Sequence, residues 1–421
     1  MGLGTVGTEV GLDLQRNRDR DGFIVERILV TDPDKHLAKV GNPHQRHQFT
    51  VDPRDIYDNP DIDMVVELMG GTDPAENYIL RAIENGKWIV TANKALLAVK
   101  AKTIFDAAIA HQVEVGYDAS VAGKIPIIAN LEHLDGEEIL QIDGILNGTS
   151  NYILTRMDED GMSYPDAVQE AKDRRFAEKD ESRDVKGEDP ADKIIVLATT
   201  AWKTAFDRSK IKPTGIDIVT PHDMRIVKRL GMGGGYVIKP ISSARRYEDG
   251  TVGISVSPML VRSDNRLATV RNENNGIIIY TAHGGPITAD GPGAGGEATS
   301  VAVLADMRRL RDHKWHGYVK TPPALVGNIP MLDADKLRSR WYLRVNFSNR
   351  EGVWEEYGRI LRENHLSGQH SMRDENREGD RFVPDYDTID RGERGDMMRA
   401  AARLAAATDM IAGVPYVLPI L

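Results

Sequence analysis

Cysteine is absent from this 421-residue chain, and so is any long hydrophobic run. Without cysteine there is no disulfide framework, no thiolate metal site and no cysteine nucleophile. No apolar run approaches the roughly 18 residues that a transmembrane helix needs, and the N-terminus lacks the pattern of a signal peptide. These absences predict a soluble, cytoplasmic protein without a membrane partner.

Basic charge is also scarce, since 54 Lys and Arg residues stand against 64 Asp and Glu residues and give a formal net charge of −10. A nucleic-acid surface and a polybasic membrane patch both need clustered Lys and Arg, so we expect neither partner. The composition favours a small-molecule substrate. The length predicts two to four domains at roughly 100 to 200 residues each, and we expect three.

The chain opens on a glycine-rich turn, GLGTVG, and the following residues can continue as a helix. Such a turn lets backbone N–H groups at a helix N-terminus approach a pyrophosphate. We therefore predict that a dinucleotide cofactor is bound by Gly2, Gly4, Thr5, Val6 and Gly7. A plain glycine turn is the alternative. The motif normally follows a strand, and because the sequence begins at the turn we expect the first strand of the sheet to be missing.

Strand-like runs then alternate with helical ones, which indicates an α/β, doubly wound, Rossmann-like cofactor domain over residues 1–120. The predicted strands are Phe23 to Thr31, Met64 to Leu68, Trp88 to Thr91 and Val113 to Tyr117. Asp32 follows the first strand, where a carboxylate can bind the adenosine ribose, or it is a solvated loop residue. Lys94 follows the third strand, where it can neutralise cofactor or substrate charge, or it is a surface lysine at a helix start.

The loop from Asp118 to Pro126 has one carboxylate and many free carbonyls. Oxygen ligands of this kind can hold a hard monovalent cation, although a plain connection between domains is equally consistent with the sequence. Residues 121–290 are predicted to form an α+β substrate-binding and dimerisation domain. Its expected strands are 140–146, 234–242, 251–262 and 276–282.

A second glycine-rich turn, PGAGGEAT, contains Gly296 and precedes a predicted helix over 300–310. We expect segment 291–312 to return to the cofactor domain, with Gly296 as a further cofactor-binding residue. A capped surface helix is the alternative. Residues 315–338 are proline-rich and predict a linker. Residues 339–421 predict a small third α+β domain, with a strand over 339–347, helices over 353–364 and 397–407, and a last strand over 414–418. Segment 368–396 is highly charged, and we expect it to be partly disordered.

The charged stretch FAEKDESRDVKGEDPADK, residues 176–193, runs directly into the apolar segment IIVLATTAW. Its end has the pattern of a helix start, with Asp189 as N-cap and Pro190 at the first helical position. Lys193 lies four residues after Asp189, so both are expected on one helix face, with the lysine at the edge of a buried surface. Such a lysine can transfer a proton to a carbonyl oxygen, while Asp189 and Glu178 hold a substrate ammonium. An ordinary capped surface helix is the alternative.

In sequence order, the motifs GLGTVG, VVELMGG, VTANKALLA, DASVAGKIPII, GILNGTSNYIL, FAEKDESRDVKGEDPADK and GPGAGGEATSVAVLADM resemble the homoserine dehydrogenase family. The resemblance implies NAD- or NADP-dependent interconversion of L-homoserine and L-aspartate 4-semialdehyde. It implies that Lys193 is the proton donor, that Lys94 is its partner lysine, and that Glu178 and Asp189 hold the substrate. It further implies a sodium site at Asp118, Val121, Gly123 and Ile125, and a homodimer or homotetramer.

The chain departs from the family at several positions. Asp118 replaces the usual Glu, Pro190 replaces a small or aliphatic residue, and Thr31 rather than Arg precedes Asp32. The C-terminal residues are similar to an ACT regulatory domain mainly in LRVNFSNREGV, so a threonine effector is an expectation from that domain alone. The sequence is also consistent with two other functions. One is a non-catalytic amino-acid sensor on the same fold, and the other is a dehydrogenase of another amino-acid semialdehyde.

Overall fold

The computed structural model describes residues 1–40, 48–178, 180–230, 235–293, 295–348, 352–373, 382–407, 411, 413 and 415–421. These residues form two compact units. The first comprises Met1–Gly148, Asp189–Arg208 and Glu273–Ile329, and the second comprises Thr149–Glu188, Ser209–Asn272 and Pro330–Leu421. Positions 179, 234, 294, 349–351, 374–381 and 414 belonged to predicted elements or motifs and lie outside the described residues. The predicted three-part domain organisation stays a prediction.

The first unit contains most of the helices and all of the parallel strands that surround the candidate site. Its helices are α1 (Thr5–Arg16), α2 (Arg18–Asp21), α3 (Pro33–Val40), α4 (Arg54–Tyr57), α5 (Ala75–Glu84), α6 (Lys94–Ala110), α7 (Ile127–His133), α11 (Glu188–Trp202, whose first residue belongs to the second unit) and α13 (Gly296–Trp315). Its strands are β1 (Ile28–Leu29), β2 (Phe49–Thr50), β3 (Met64–Glu67), β4 (Trp88–Thr91), β5 (Val115–Gly116), β6 (Ile139–Ile145), β9 (Asn274–Thr281) and β10 (Ile287–Pro292).

The parallel strands of the first unit fall into two groups with the chain start between them. Strands β3, β4 and β5 pair in that order, and β1 pairs with β2. The Met1 ammonium donates to the Val66 carbonyl and the Leu68 N–H donates to the Met1 carbonyl, while the Gly2 N–H donates to the Leu29 carbonyl. Met1 and Gly2 therefore hydrogen-bond to both groups of strands, β1-β2 and β3-β4-β5. The resulting order of strands is that of a Rossmann-like sheet.

The strand predicted over Phe23 to Thr31 is wrong for most of its length, because only Ile28–Leu29 pairs as a strand. Residues 23–27 line a cavity in place of a neighbouring strand, and an extended segment without a hydrogen-bonding partner is not a stable sheet element. The strand Trp88–Thr91 is confirmed in full, and all four of its residues are buried, as a central parallel strand requires.

An antiparallel sheet, β10-β9-β6, completes the first unit. Strand β10 was not predicted, since ITADGP has little apolar alternation and its side chains are exposed or half-buried. Helix α13 begins at Gly296, four residues before the predicted start, and packs against α1 and the ends of β4 and β5. Its contacts bring segment 291–312 against the parallel sheet.

The second unit contains two pairs of long strands and the C-terminal βαββαβ motif. Its helices are α8 (Gly148–Glu159, whose first residue belongs to the first unit), α9 (Tyr164–Asp173), α10 (Ser182–Val185), α12 (Pro221–Val227), α14 (Val353–Glu363) and α15 (Arg394–Ala406). Its strands are β7 (Tyr236–Arg246), β8 (Val252–Arg262), β11 (Arg338–Ser348), β12 (Gly368–Arg373), β13 (Phe382–Glu393) and β14 (Tyr416–Ile420).

Residues 338–420 have the topology of a ferredoxin-like domain, with strand order β14-β11-β13-β12 and two helices. The expected disorder over 368–396 is wrong for its described part, since 368–373 and 382–393 are strands. Strand β13 pairs with β11 on one side and β12 on the other. Backbone ladders on both sides can order a strand that has few apolar residues, and composition does not reveal them.

None of the helices in the described ranges has both the length and the hydropathy needed to cross a bilayer.

Candidate active site

Helix α11 carries the two central residues of the candidate site. Gly187 has a φ of 84°, a left-handed conformation that ends the preceding turn, and α11 begins at the next residue, Glu188. The prediction of Asp189 as N-cap and Pro190 as first helical residue is therefore wrong by two positions. Asp189 lies within the first turn, and its carboxylate is directed to other side chains.

The Lys193 ammonium lies 2.7 Å from Asp189 Oδ2, which confirms that the two residues share one helix face. Both side chains are 9% exposed. The Lys193 ammonium also donates to the Leu146 carbonyl at 2.9 Å, just after strand β6. Two of the three ammonium hydrogens are thus directed by the fold, and the lysine is held in one orientation.

Lys94 reaches the same carboxylate from the end of strand β4. It is the first residue of α6, which Asn93 caps by accepting the Leu96 N–H. The Lys94 ammonium lies 3.2 Å from Asp189 Oδ1, and its side chain is 38% exposed. The carboxylate is therefore bracketed by one buried and one partly exposed ammonium, at the carboxyl end of a parallel strand.

Burial opposes the ionisation of Asp189, but the charges of Lys193 and Lys94 outweigh it. Together with hydrogen bonds from Lys193 and Asn147, they hold the pKa of this carboxyl well below its usual range. Asp189 is therefore charged at neutral pH. The cluster of one carboxylate and two ammonium groups can attract an anionic substrate group and present an N–H donor to a carbonyl oxygen.

Two buried residues of this region were not identified from the sequence. Asn147 donates to Asp189 Oδ2 at 2.9 Å, and Glu67 accepts from the Met69 N–H and from Thr91 Oγ1, both at 2.7 Å. Glu67 thereby ties the loop after β3 to the end of β4, next to Lys94. A charged residue at the end of an apolar strand, and the polar turn NGTSN, are the sequence signals that could have indicated them.

The turn before α1 has the geometry of a dinucleotide-binding turn. A Cβ atom on Gly7 would lie 2.4 Å from the Gly2 carbonyl oxygen, so only glycine allows this approach. Gly2 has a φ of 87°. No side chain caps α1 at Gly4, and a Cβ there would meet no atom within 4 Å. Gly4 and Thr5 are exposed, and N–H groups of a first helical turn, here those of Thr5 and Val6, are donors of the kind that bind a pyrophosphate.

Asp32 and Gly296 are two further predicted cofactor residues. Asp32 is exposed and accepts the Lys35 N–H at 3.1 Å at the start of α3, so its carboxylate is available at the end of β1. Gly296 begins α13, and a Cβ on it would lie 2.8 Å from Thr5 Cγ2. Close packing of α13 on α1 is therefore a sufficient structural reason for glycine at this position.

The predicted cation loop is tightly folded in the first unit. Asp118 accepts the Ile128 N–H and its own N–H donates to Asp306, both at 2.9 Å. Burial and the neighbouring Asp306 carboxylate raise the pKa of Asp118 to about 7. Ala122 and Gly123 have φ values of 59° and 56°.

Within the described hydrogen bonds, the Ile125 carbonyl accepts the Ile127 N–H at 2.8 Å, while none reaches the carbonyls of Val121 or Gly123. Burial disfavours the charged form of the Asp118 carboxylate, and the Val121 and Gly123 carbonyls of the same loop accept no described hydrogen bond. Oxygen ligands of this kind fit a monovalent cation. In the described ranges no group of three or more His, Asp or Glu side chains is placed to hold a metal, so carbonyls would have to supply the remaining ligands.

Glu178, the second predicted substrate carboxylate, is an exposed residue of the second unit. Its assignment to the site stays a prediction.

A Rossmann-like glycine turn and a lysine–carboxylate cluster at strand ends define a nicotinamide-dependent oxidoreductase. Residues 2–118 match the family model of the homoserine dehydrogenase NAD binding domain, and residues 126–307 match the family model of homoserine dehydrogenase. The chain belongs to the homoserine dehydrogenase family. This finding confirms the predicted family and the predicted fold class.

Curated relatives and solved structures agree with this assignment. Homoserine dehydrogenase of Pseudomonas aeruginosa is 35% identical over 396 residues, which cover 91% of this chain and 89% of the relative. The Bacillus subtilis enzyme is 32% identical over 378 residues, covering 87% and 85%. The crystal structure of a homoserine dehydrogenase from Thiobacillus denitrificans has a TM-score of 0.90 at 33% identity and covers all of this chain and 96% of its own.

Proposed function

We propose that this chain interconverts L-homoserine and L-aspartate 4-semialdehyde and that the cluster of Lys193, Asp189 and Lys94 is its substrate site. The observation that carries the proposal is the Asp189 carboxylate held between two ammonium groups at the carboxyl end of β4. Ligands of doubly wound sheets bind at this edge. The nicotinamide cofactor, when bound, supplies or accepts the hydride.

Lys193 transfers the proton at the substrate oxygen. Its ammonium donates to Asp189 and to the Leu146 carbonyl, which leaves one N–H for a substrate oxygen. In the reductive direction Lys193 donates this proton to the aldehyde oxygen, and in the oxidative direction it accepts the hydroxyl proton.

Lys94 and Asp189 orient the amino-acid portion of the substrate. The cluster has a formal charge of +1, from two lysines and one aspartate, which favours the substrate carboxylate near the partly exposed Lys94. Asp189 accepts a hydrogen bond from the substrate ammonium. Activity with L-aspartate 4-semialdehyde compared with longer semialdehydes tests the length of the substrate.

The cofactor is bound by the turn of Gly2, Gly4 and Gly7 and by the N–H groups of Thr5 and Val6. Asp32 binds the adenosine ribose and favours NAD, because a carboxylate accepts from the 2′-hydroxyl and repels a 2′-phosphate. NADP is the competing cofactor. Parallel assays with both nucleotides decide between them, and Asp32→Ser is expected to shift the preference towards NADP.

We further propose that Asp118, with the carbonyls of Val121, Gly123 and Ile125, binds sodium. The cation would offset the free-energy cost of burying the charged Asp118 carboxylate beside Asp306. Thermal unfolding in NaCl is then expected at a higher temperature than in choline chloride of equal ionic strength. Asp118→Asn should lose this difference, and an equal sodium effect in that variant would contradict the site.

The decisive experiment is homoserine oxidation with NAD and NADP in parallel. Lys193→Ala is expected to lower kcat by at least about 100-fold, since general acid–base groups contribute on the order of 10²- to 10⁴-fold. Cofactor binding, followed by NADH fluorescence, should survive. Lys203→Ala is the control, because Lys203 follows α11 but pairs with Asp135 at the surface. Near-normal oxidation by Lys193→Ala would rule out its role.

The oligomeric state and the effector are proposals of the same kind. A homodimer or homotetramer is expected in solution and is tested by light scattering. The ferredoxin-like C-terminal motif is the expected site of threonine inhibition, which an assay with added L-threonine tests.

A further inference from the structure

Helix α13 brings a second acidic side chain to the cation loop, Asp118 to Pro126. Asp306 Oδ2 accepts the Asp118 N–H at 2.9 Å, and Asp306 is 4% exposed. The approach is close because β5 ends in glycine, since a Cβ on Gly116 would lie 2.9 Å from Asp306 Cβ. Two acidic side chains therefore lie at the start of this loop, where negative charge without a positive partner is costly.

Arg309, one turn after Asp306 on α13, supplies positive charge at this point. Its guanidinium lies 2.8 Å from Asp306 Oδ1 and 3.5 Å from Glu114 Oε2, and its side chain is 33% exposed. Among the ion pairs of the described residues, no other cation contacts Asp306. Burial and Asp306 raise the pKa of Asp118, whereas the charge of Arg309 lowers it. The field of Arg309 therefore extends to the carboxylate that is proposed to hold sodium.

The other charged groups of this region have partners of their own. Glu132 accepts a hydrogen bond from the Lys320 ammonium at 2.5 Å. Glu114 accepts the Lys320 N–H at 2.5 Å and lies 2.9 Å from His313 Nδ1. Arg309 is consequently the positive charge that α13 holds against the start of the cation loop.

The size of an ion does not by itself select sodium at a site of oxygen ligands. Calcium also binds carbonyl and carboxylate oxygens, and its ionic radius is close to that of sodium. The two ions differ in charge, and the interaction of a fixed charge with a bound ion is proportional to the charge of that ion. A nearby guanidinium therefore opposes a divalent ion by twice the free energy with which it opposes a monovalent ion.

We propose that Arg309 determines the valence of the bound cation, because its charge makes the cation loop favour a monovalent ion over a divalent ion. Arg309 contributes this charge without being a ligand. Asp306 is a positioning residue, since its carboxylate joins the Arg309 guanidinium to the Asp118 N–H. The inference rests on the proposed sodium site, which the sodium dependence of the unchanged chain tests separately.

The test is thermal unfolding at about pH 8.5, above the pKa of Asp118 of about 7, in NaCl or in CaCl₂. Choline chloride keeps the ionic strength constant, and the rise of Tm with cation concentration gives an apparent affinity for each ion. Arg309→Met removes the charge and keeps an apolar side chain. If this variant binds sodium about 4-fold more tightly, it should bind calcium about 16-fold more tightly, which is the square of that factor.

Further variants separate charge from hydrogen-bond geometry. Arg309→Lys keeps the charge and should keep the preference for sodium, although it loses the planar fork of the guanidinium. Arg309→Gln, which can still donate a hydrogen bond, is the second neutral variant if Arg309→Met does not fold. Asp306→Asn should weaken the binding of both ions, and of calcium by the square of the factor for sodium. Combining Asp306→Asn with Arg309→Met restores the sum of the local charges and should restore the original preference.

Lys314→Met is the matched control, because it removes one positive charge from the same helix but from a surface ion pair with Asp63. It should leave both affinities unchanged, and Asp118→Asn should lose the response to both ions. Equal factors for sodium and calcium in both neutral variants of Arg309, or unchanged affinities there beside a sodium response of the unchanged chain, overturn the proposal. If the unchanged chain responds to neither ion, the sodium site itself is wrong and the proposal falls with it.

Discussion

Asp189 shows how far spacing in the sequence can predict a site. Its contact with Lys193 follows from the i, i+4 geometry of a helix, and the structure confirms it. Its contact with Lys94 depends on two elements that are distant in the chain, and no local pattern specifies it. The same is true of Asn147, whose amide reaches Asp189 only because β6 ends beside α11. Local rules therefore predicted which residues form the cluster, but they did not predict the contact between Lys94 and Asp189.

Asn147 should position Asp189 rather than contact the reacting atoms. Asn147→Ala removes a charge-assisted hydrogen bond to a buried carboxylate, and such bonds contribute about 1.5–3 kcal/mol. We expect a loss of unfolding free energy of that order in urea, with a raised KM for homoserine because the carboxylate is less well oriented. Asn85→Ala, at an exposed helix end, is the control. An unchanged KM would show that Asn147 acts on stability alone.

Lys239 should make the stability of the protein depend on pH. It lies on β7, is 2% exposed, and donates to the Val270 carbonyl. Burial, and then the nearby Arg271, lower the pKa of Lys239 to about 7. In the unfolded chain the pKa is near its ordinary value, so between pH 7 and 10 the unfolded state binds more protons and the unfolding free energy rises with pH.

Lys239→Met removes this dependence. From pH 6 to pH 9 the unchanged chain should gain about 2.7 kcal/mol that the variant does not gain, at about 1.4 kcal/mol per pH unit above 7. The difference in unfolding free energy between the variant and the unchanged chain should therefore favour the variant more at pH 6 than at pH 9. Urea unfolding of both proteins at the two pH values measures the difference. Parallel pH curves for the two proteins would exclude a titrating Lys239.

At the scale of elements, helices with clear caps and apolar faces were predictable, as α9 with its Ser163 cap shows. Strands were predictable where both neighbours exist, as for β4. Residues 23–27 have the composition of a strand, yet they line a cavity and do not pair with a neighbouring strand. Strand β13 has the composition of a loop, yet it pairs on both sides. Pairing partners, which the sequence does not display, decide both cases.

Helix α12 and strand β11 are joined by a buried ion pair. Asp223 is fully buried, closes a capping box with Thr220, and accepts two hydrogen bonds from Arg344 and one from Tyr342. Removing one partner of such a pair leaves an uncompensated charge, which typically costs 3–5 kcal/mol. Asp223→Ala should therefore lower the unfolding free energy by about that amount.

Urea denaturation followed by far-UV circular dichroism measures this loss. Asp217→Ala is a matched control, because Asp217 pairs with Lys186 at the surface and should change stability by less than about 1 kcal/mol. Equal effects of the two substitutions would mean that the pair does not hold α12 to β11.

At the scale of the molecule, the C-terminal motif belongs to the second unit and shares its core. Tyr342, Leu418 and Ile420 pack in one hydrophobic cluster with Tyr152 and Ile153 of α8. The last residue of β14 also pairs with β8, through Ile420 and Leu260. The sequence predicts a small third domain after a linker, because such a boundary is read from proline content. A shared core is visible only in three dimensions.

Deleting residues 338–421 should therefore unfold more than the deleted segment. The truncation exposes the apolar side chains of α8, β7 and β8 that the cluster covers, and exposed patches of this kind cause aggregation. We expect the truncated chain to bind the dye ANS and to lose cooperative unfolding of the second unit. A separable domain would leave a soluble chain with an unchanged Tm.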